Sequence, residues 1–597
     1  MPSTDHEGAV IGRTFADSTP SFPEPERARS GSPNVVYVLY DDLGWADFGC
    51  FGSEIATPTV DRLAAEGLRY TNFHVTPLCS PTRACLLTGR NHHATGMGML
   101  PNFAMGYPGY TGQLHHETAT IGEMAQSQGY TTLGVGKWHL TPMNHFTGAG
   151  PFDQWPLQRG FDRFYGTPDG MTNQWRPDLI EDNHWVDAPD DPDYHFTPDI
   201  VDHAIDFVRD HRNGDAERPF FLYVAFCAPH FPHHVPREYV DKYVPVFEKG
   251  WDATRADRLA RQKELGLVPP DTELPPPNPG VRAWDDYAPE DRAAMVRLQA
   301  AYAGMVEHTD EHLGRLVAAL EAMGELDNTL FVLFSDNGAS QEGGEVGSMN
   351  AMKFFFGYES PETELQVVKD NMDSVGTSPD FINTYSIGWS MAGNTPLKRW
   401  KQDTHAGGVR SPLVVRYPGE IPDPGGIRTQ FHHAIDITPT ALDVTGMTAP
   451  EQVKGVPQKP VHGQSLRYTF ADAGAPTVRT VQYFEMNGQR AIWQDGWKAV
   501  THHEPMLSLE LMLTGDAEKV TDFDADRWEL YHVDEDWNEL DDRAATEPER
   551  LAAMVERWWE EAARYDVLPL GASINGMNGP PITGRHGLPP EDQPAHP

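Results

Sequence analysis

The sequence predicts an α/β protein: a large, mostly parallel sheet sandwiched by helices, followed by a smaller C-terminal α+β subdomain that contains an antiparallel sheet. Three observations carry this. The runs NVVYVLY (34–40), FFLYVAF (220–226) and TLFVLF (329–334) are continuous, β-branched and aromatic, as strands buried on both faces are. Segments with helical periodicity separate them, which is the alternation of a parallel sheet with crossover helices. After about residue 445 the composition changes, and RTVQYFEMNGQRAIWQDGWKAVTH (479–502) reads as paired strands around an Asn487-Gly488 turn.

In chain order, residues 1–33 are polar and rich in Pro and Ser, and read as a flexible arm. The first strand, 34–40, opens a catalytic domain expected to run to 445. DRLAAEG is a helix ending on Gly67, and ETATIGEMAQSQG is a helix opened by Thr118 or Thr120 and ended by Gly129. TTLGVG (131–136) is a short strand, DIVDHAIDFVRDH (199–211) a helix, and 293–324 a long helix before the strand at 329. Two stretches read as insertions: 243–289, charged and Pro-rich, and 340–396, Gly-rich and containing FFFGYE. A C-terminal subdomain is expected over 446–570, closed by the helix ERLAAMVERWWEEAARY, and 571–597 is a Gly/Pro-rich tail.

Bulk properties narrow the function classes. The 597 residues carry a formal net charge of −41, which argues against nucleic acid as a partner, because duplex binding needs a basic footprint. An anionic substrate must then be drawn by a local positive site, since surface charge is screened within about 8 Å at physiological salt. The apolar runs are far shorter than the roughly 20 residues a membrane helix needs, and no apolar leader precedes residue 34, so no membrane partner and a cytoplasmic location are expected. Four cysteines (Cys50, Cys79, Cys85, Cys227) are too few for a disulfide framework in a chain this long.

Ligands of open α/β sheets gather at the carboxyl ends of the strands. Asp41-Asp42 follows the first strand, Lys137-Trp138-His139 follows TTLGVG, His230 follows FFLYVAFCAP, and Ser335-Asp336-Asn337-Gly338 follows TLFVLF. Any one of these is ordinary turn chemistry. Together they place three acids, an amide, two histidines and a lysine on one sheet edge. Asp41, Asp42, Asp336 and Asn337 offer oxygen, which suits a hard divalent cation, Ca²⁺ ahead of Mg²⁺, rather than zinc. A metal-free cluster of those carboxylates would be costly through like-charge repulsion. Trp45 and Trp138 read as packing residues.

LCSPTRACLLTGR (78–90) supplies the next signal. Ser80 suits an N-cap, Pro81 the first helical position and Gly89 the stop. Cys79 then sits at a helix N-terminus, which favours an anion, with Arg83 on the first turn. A low-pKa nucleophilic thiolate is one reading of Cys79 and an inert buried cysteine another. Cys50, Cys85 and Cys227 read as inert.

These residues resemble the type I, formylglycine-dependent sulfatases, and bacterial arylsulfatases in particular. Cys79-Ser80-Pro81-Thr82-Arg83 with LLTGR matches the C-[ST]-P-x-R signature. YVLYDDLGWADFG is similar to the family's metal segment, GKWHL to its Lys-x-His block, and APH (228–230) and SDNG (335–338) to further blocks. LKRWKQDTHAGGVRSPLVV resembles the segment that carries the family's catalytic lysine; aligned on Gly407-Gly408, that lysine is Lys401, and Lys398 is peripheral. One departure stands out: Ala406 replaces the family's usual Glu before the paired glycines. The resemblance implies an alkaline-phosphatase-like fold, one divalent cation on Asp41, Asp42, residue 79, Asp336 and Asn337, and conversion of Cys79 to formylglycine by a formylglycine-generating enzyme. It implies catalytic roles for Cys79, Arg83, Lys137, His139, His230 and Lys401 on a small sulfate-ester substrate.

The implied chemistry is covalent catalysis with general acid and base. The aldehyde hydrates to a gem-diol, one hydroxyl attacks sulfur, and His230 with Lys401 protonates the leaving oxygen. His139 takes a proton from the second hydroxyl, and C–O cleavage releases sulfate. Arg83, Lys137, Lys401 and the cation supply positive charge. Two rivals are a phosphonate monoesterase or phosphodiesterase on the same scaffold, and a non-catalytic binding relative. The second is disfavoured because every signature residue is present.

Overall fold

A computed structural model describes residues 8–22, 26–353, 357, 359–503 and 522–571. Its main sheet is built from β1 (Asn34–Tyr40), β2 (Leu68–Tyr70), β3 (Thr131–Lys137), β4 (Arg163–Thr167), β5 (Leu179–Glu181), β6 (His184–Val186), β7 (Phe220–Ala225), β8 (Thr329–Ser335), β9 (Leu413–Arg416) and β10 (Gly426–Arg428). The ten strands lie in the order β10-β2-β9-β8-β1-β7-β3-β4-β5-β6. The run β8-β1-β7-β3-β4 is parallel, with Tyr40 opposite Ser335, Leu39 opposite Ala225 and Ala225 opposite Gly136; β9 pairs antiparallel with both β2 and β8, and β5 and β6 are antiparallel too.

The continuous apolar runs explain the layers. Alternate residues of β1 enter different cores: Val36, Val38 and Tyr40 pack with the helices Phe196–Gly214 and Pro289–Ala322, whereas Val35, Tyr37 and Leu39 pack with the helices Cys79–Thr88 and Ile437–Thr445. Each such side chain contributes about 1.5–3 kcal/mol by leaving water, so a strand apolar at every position is stable only between two helical layers. Trp45 and Trp138 are fully buried packing residues; the Trp138 indole donates to the Gln154 carbonyl.

Several expectations are refined. Thr120, not Thr118, caps the helix Ile121–Gln126, in a capping box with Glu123, and Gly129 lies in the turn beyond. Ser80 is not an N-cap: the helix starts at Cys79, Leu78 occupies the cap position, and the Ser80 hydroxyl donates instead to the His139 carbonyl at 2.8 Å. Gly89 ends that helix with a left-handed φ of 65°. The stretch 243–289 contains the helix Gly250–Glu264, whose buried Arg258 bonds Asp47 at 2.6 Å. The FFFGYE segment lies largely outside the described residues, as do 504–521 and the tail from 572.

The C-terminal sheet is antiparallel in the order β11 (Val481–Met486), β12 (Gln489–Gln494), β13 (Trp497–Thr501), β14 (Trp528–His532), covered by the helix Pro548–Arg564. Its first hairpin turns at Asn487 and Gly488, both at positive φ, as a two-residue I′ turn requires.

Candidate active site

Strand order decides which motifs meet. β3, β7, β1 and β8 are consecutive neighbours, and their carboxyl ends carry Lys137 with His139, His230, Asp41-Asp42, and Asp336-Asn337 respectively. β1 lies between strands reached by crossovers to either side, the topological switch point where open α/β sheets bind ligands. Two residues there sit in the left-handed region, Asp42 at φ 65° and His139 at φ 53°, a backbone cost that clusters at functional sites.

Positive and negative groups interleave in direct contact. Arg83, fully buried, donates twice to Asp336 Oδ2, at 3.0 and 2.7 Å, and once each to the Lys137 carbonyl at 2.9 Å and the Tyr223 hydroxyl at 3.3 Å. Lys137 Nζ donates to Asp41 Oδ2 at 2.6 Å. Asn337 Nδ2 donates to Asp42 Oδ1 at 2.7 Å, and Lys401 Nζ donates to Asp42 Oδ2 at 2.9 Å and to His230 Nε2 at 3.4 Å. His230 Nδ1–H donates to the Phe231 carbonyl at 2.7 Å, which leaves Nε2 as the reactive nitrogen. Cys79 Sγ lies 3.3 Å from His139 Nδ1. Gly170 packs against that imidazole; a Cβ there would come within 2.5 Å of it.

Burial and neighbours set the protonation states. Burial, reinforced by the Asp41 charge, raises Asp336 to about 6 against the pull of Arg83 and Lys137. Burial also works to raise Asp42, but Lys401 and His230 hold it well below the carboxylate range. Burial opposes the charge of Lys137, yet the Asp41 carboxylate keeps its ammonium above the ordinary value. Burial lowers His230 to about 4, and burial with Lys137 and Arg83 holds His139 well below the ordinary imidazole value. Burial pushes the Cys79 thiol up to about 11, with Lys137 only partly offsetting it. In the metal-free site, loss of water and the nearby Asp41 and Asp336 charges work against the low-pKa thiolate reading of Cys79.

The oxygen set fits a hard cation. Asp41 Oδ1 and Asn337 Oδ1 are buried acceptors with no hydrogen-bond partner, a costly state unless something electropositive reaches them. Asp41, Asp42 and His230 also bring ligand atoms within 4.8 Å of one another. The oxygen set is the better cradle, because Asp41 Oδ1 and Asn337 Oδ1 are unpartnered acceptors whereas His230 Nε2 already faces the Lys401 ammonium.

Several contributors were not legible. Tyr223 and Ser80 position Arg83 and His139, but one reads as a core strand residue and the other as a cap. Glu342 lies in the stretch read as an insertion, yet its Oε2 accepts from Lys401 Nζ at 2.7 Å. Lys398 is peripheral, bonded to the Tyr531 hydroxyl. At the departure from the family segment, the Ala406 N–H donates to the buried carboxylate of Glu539, at 3.1 Å. Gly338 and Gly407 meet closely: a Cβ on Gly338 would fall 1.7 Å from the Gly407 carbonyl, which ties the SDNG loop to the lysine segment.

A family model described as Sulfatase matches residues 33–447. The chain belongs to the sulfatase family. A second model, N-sulphoglucosamine sulphohydrolase C-terminal, matches residues 398–561. This sulfatase is 32% identical to an uncharacterized sulfatase of Schizosaccharomyces pombe, over 91% of this chain and 96% of the relative. It is 28% identical to an arylsulfatase of Klebsiella aerogenes, over 74% of this chain and 92% of the relative. Among solved structures, that of Ps i-CgsB superposes with a TM-score of 0.61 at 22% identity, covering 92% of this chain and 96% of the other. Membership supports an enzyme that hydrolyses sulfuric esters. No helix among the described residues is long and apolar enough to cross a membrane.

Proposed function

We propose that this sulfatase hydrolyses aryl or alkyl sulfate monoesters to a phenol or alcohol plus sulfate, with residue 79 acting as formylglycine. The observation that carries the reading is the setting of Cys79: its Sγ stands where the formylglycine oxygens would be, 3.3 Å from His139 Nδ1, while burial makes the thiol itself a poor nucleophile. Asp41, Asp42, Asp336 and Asn337, with residue 79, would hold one divalent cation, Ca²⁺ before Mg²⁺, which supplies Lewis-acid stabilisation of negative oxygen. Formylglycine, as its hydrate, supplies one hydroxyl to attack sulfur and a second whose deprotonation lets sulfate leave.

The remaining work falls to the chain. Arg83, pinned by Asp336, and Lys137, pinned by Asp41, keep fixed positive charge beside residue 79 for the sulfuryl oxygens. His139 takes the proton at Nδ1; its ring is held by Gly170 and its carbonyl by Ser80. His230 Nε2 and Lys401 Nζ face the leaving oxygen and share its proton. Cys79 is only 2% exposed, so a formylglycine-generating enzyme must read Cys79–Arg83 before the segment is buried. We further propose residues 34–445 as the catalytic domain, 446–570 as the C-terminal subdomain and 1–33 as an arm.

The test is mass spectrometry of the peptide spanning residue 79, on protein made with and without a co-expressed formylglycine-generating enzyme. Activity on nitrophenyl sulfate should track the modified fraction and exceed activity on a phosphonate monoester. Cys79→Ala should fold and show no turnover. Full sulfatase activity from protein with unmodified Cys79 would refute the mechanism.

A further inference from the structure

Lys401 stands at the leaving-group side of the site, and something must aim its ammonium. An ammonium has three N–H donors and rotates freely about the Cε–Nζ bond unless acceptors fix it. Lys401, 2% exposed, has two strong acceptors, Asp42 Oδ2 at 2.9 Å and Glu342 Oε2 at 2.7 Å, and one long contact, His230 Nε2 at 3.4 Å. Two donors are thus committed to carboxylates, and the third points to the His230 side, where the ester oxygen must depart.

The two carboxylates are not equivalent. Asp42 is in the oxygen set that fits a cation, so its charge is shared. Glu342 lies outside that oxygen set and accepts from Lys401. It is itself 2% exposed and held from both sides: the Gln402 amide donates to Oε1 at 3.1 Å and the Ser340 hydroxyl to Oε2 at 2.8 Å. The Ser340 hydroxyl in turn accepts from the Glu342 N–H at 3.2 Å. Glu342 follows Asp336-Asn337 by only a few residues, so one loop delivers both the proposed cation ligands and the lysine's partner. A buried carboxylate this well tied is a rigid reference point for its partner.

We propose that Glu342 is a positioning residue of the reaction: it locks the Lys401 ammonium so that its third N–H is presented, beside His230, to the leaving oxygen. The inference rests on the proposed function for the identity of the ester, but not for the coupling it asserts. Glu342→Gln keeps the shape and loses the charge, and its single carbonyl oxygen can serve Lys401 or Gln402 but not both. Replacing the carboxylate acceptor of the Lys401 ammonium by a neutral amide should lower kcat about ten- to a hundredfold, with KM little changed. The loss should be larger for esters with basic leaving groups than for activated nitrophenyl esters. Glu342→Asp should recover part of it.

The deciding measurement is a double-mutant cycle with Lys401→Ala, run on whichever ester the wild type turns over fastest, alongside metal content and the unfolding midpoint. In the Lys401→Ala background, Glu342→Gln should cost almost nothing further. An equal loss in both backgrounds would overturn the proposal, as would full activity of Glu342→Gln on esters of both kinds. A wild type that turns over phosphonate but no sulfate ester would refute the proposed substrate class and leave the cycle to be read on the phosphonate.

Discussion

Removing the Asp336 carboxylate should damage the protein in two separable ways. In the absence of a cation, Asp336 is the principal counter-charge of Arg83: it takes two of the guanidinium's hydrogen bonds at 3.0 and 2.7 Å, while Asp41 Oδ2 stands off at 3.8 Å. Both partners are fully buried. Asp336→Ala leaves a guanidinium with the Lys137 carbonyl, the Tyr223 hydroxyl and a distant carboxylate, and breaking a buried pair in this way costs about 3–5 kcal/mol. Replacing both partners by apolar groups removes the orphan charge, so Arg83→Met/Asp336→Ala should recover at least about 1 kcal/mol of that loss. The assay is denaturant unfolding of chelator-treated wild type, single and double variants. Metal analysis and turnover on untreated protein then report the second effect: Asp336→Ala should hold no stoichiometric cation and show no activity. A single variant within about 1 kcal/mol of wild type, or a double variant no better than the single, would refute the reasoning about the ion pair. A metal-free, fully active Asp336→Ala protein would refute the oxygen-set cation site.

The two histidines should separate in kinetics. His139→Ala should accumulate sulfated enzyme after one turnover, seen as a mass increase on the residue-79 peptide. His230→Ala should lose most on substrates with basic leaving groups, and a uniform loss across a leaving-group series would count against its assignment. A pH effect on stability is expected from the buried His405. Burial disfavours its charge, but Asp403 at 2.7 Å and Glu529 at 3.0 Å outweigh this and raise it to about 9. A raised folded-state value stabilises fully below the unfolded value near 6.5 and is lost as pH rises through 9. The difference corresponds to about 3 kcal/mol, so unfolding free energy should fall between about pH 6.5 and 9, and His405→Gln should flatten that limb. An unchanged slope in the variant would exclude His405 as the source.

The sequence by itself determined the elements and the chemical types of the site. β-branched runs without alternation read as strands between two layers, and Thr118 or Thr120 before an apolar-periodic run marked a helix start. Asp41-Asp42, Lys137, His139, His230 and Asp336-Asn337 were legible because strand ends are where such sheets bind ligands, and Cys79 with Arg83 because its signature is local in sequence. Tertiary structure alone decided the rest. Pairing β1 with both β7 and β8, and β7 with β3, makes four separate strand ends one cluster, and pairing is set by packing between distant segments rather than by local propensity. Burial turned Cys79 from a candidate thiolate into a thiol near 11, an effect of every neighbour at once. Glu342 left no signal, since a carboxylate in a Gly-rich loop reads as solvated until folding sets it 2.7 Å from Lys401. Ser80 likewise looked like a cap, but the helix begins one residue earlier, at Cys79, and the Ser80 hydroxyl donates to the His139 carbonyl. Local pattern encodes which face and which ending a segment has; only the folded chain fixes which charges share a dry site.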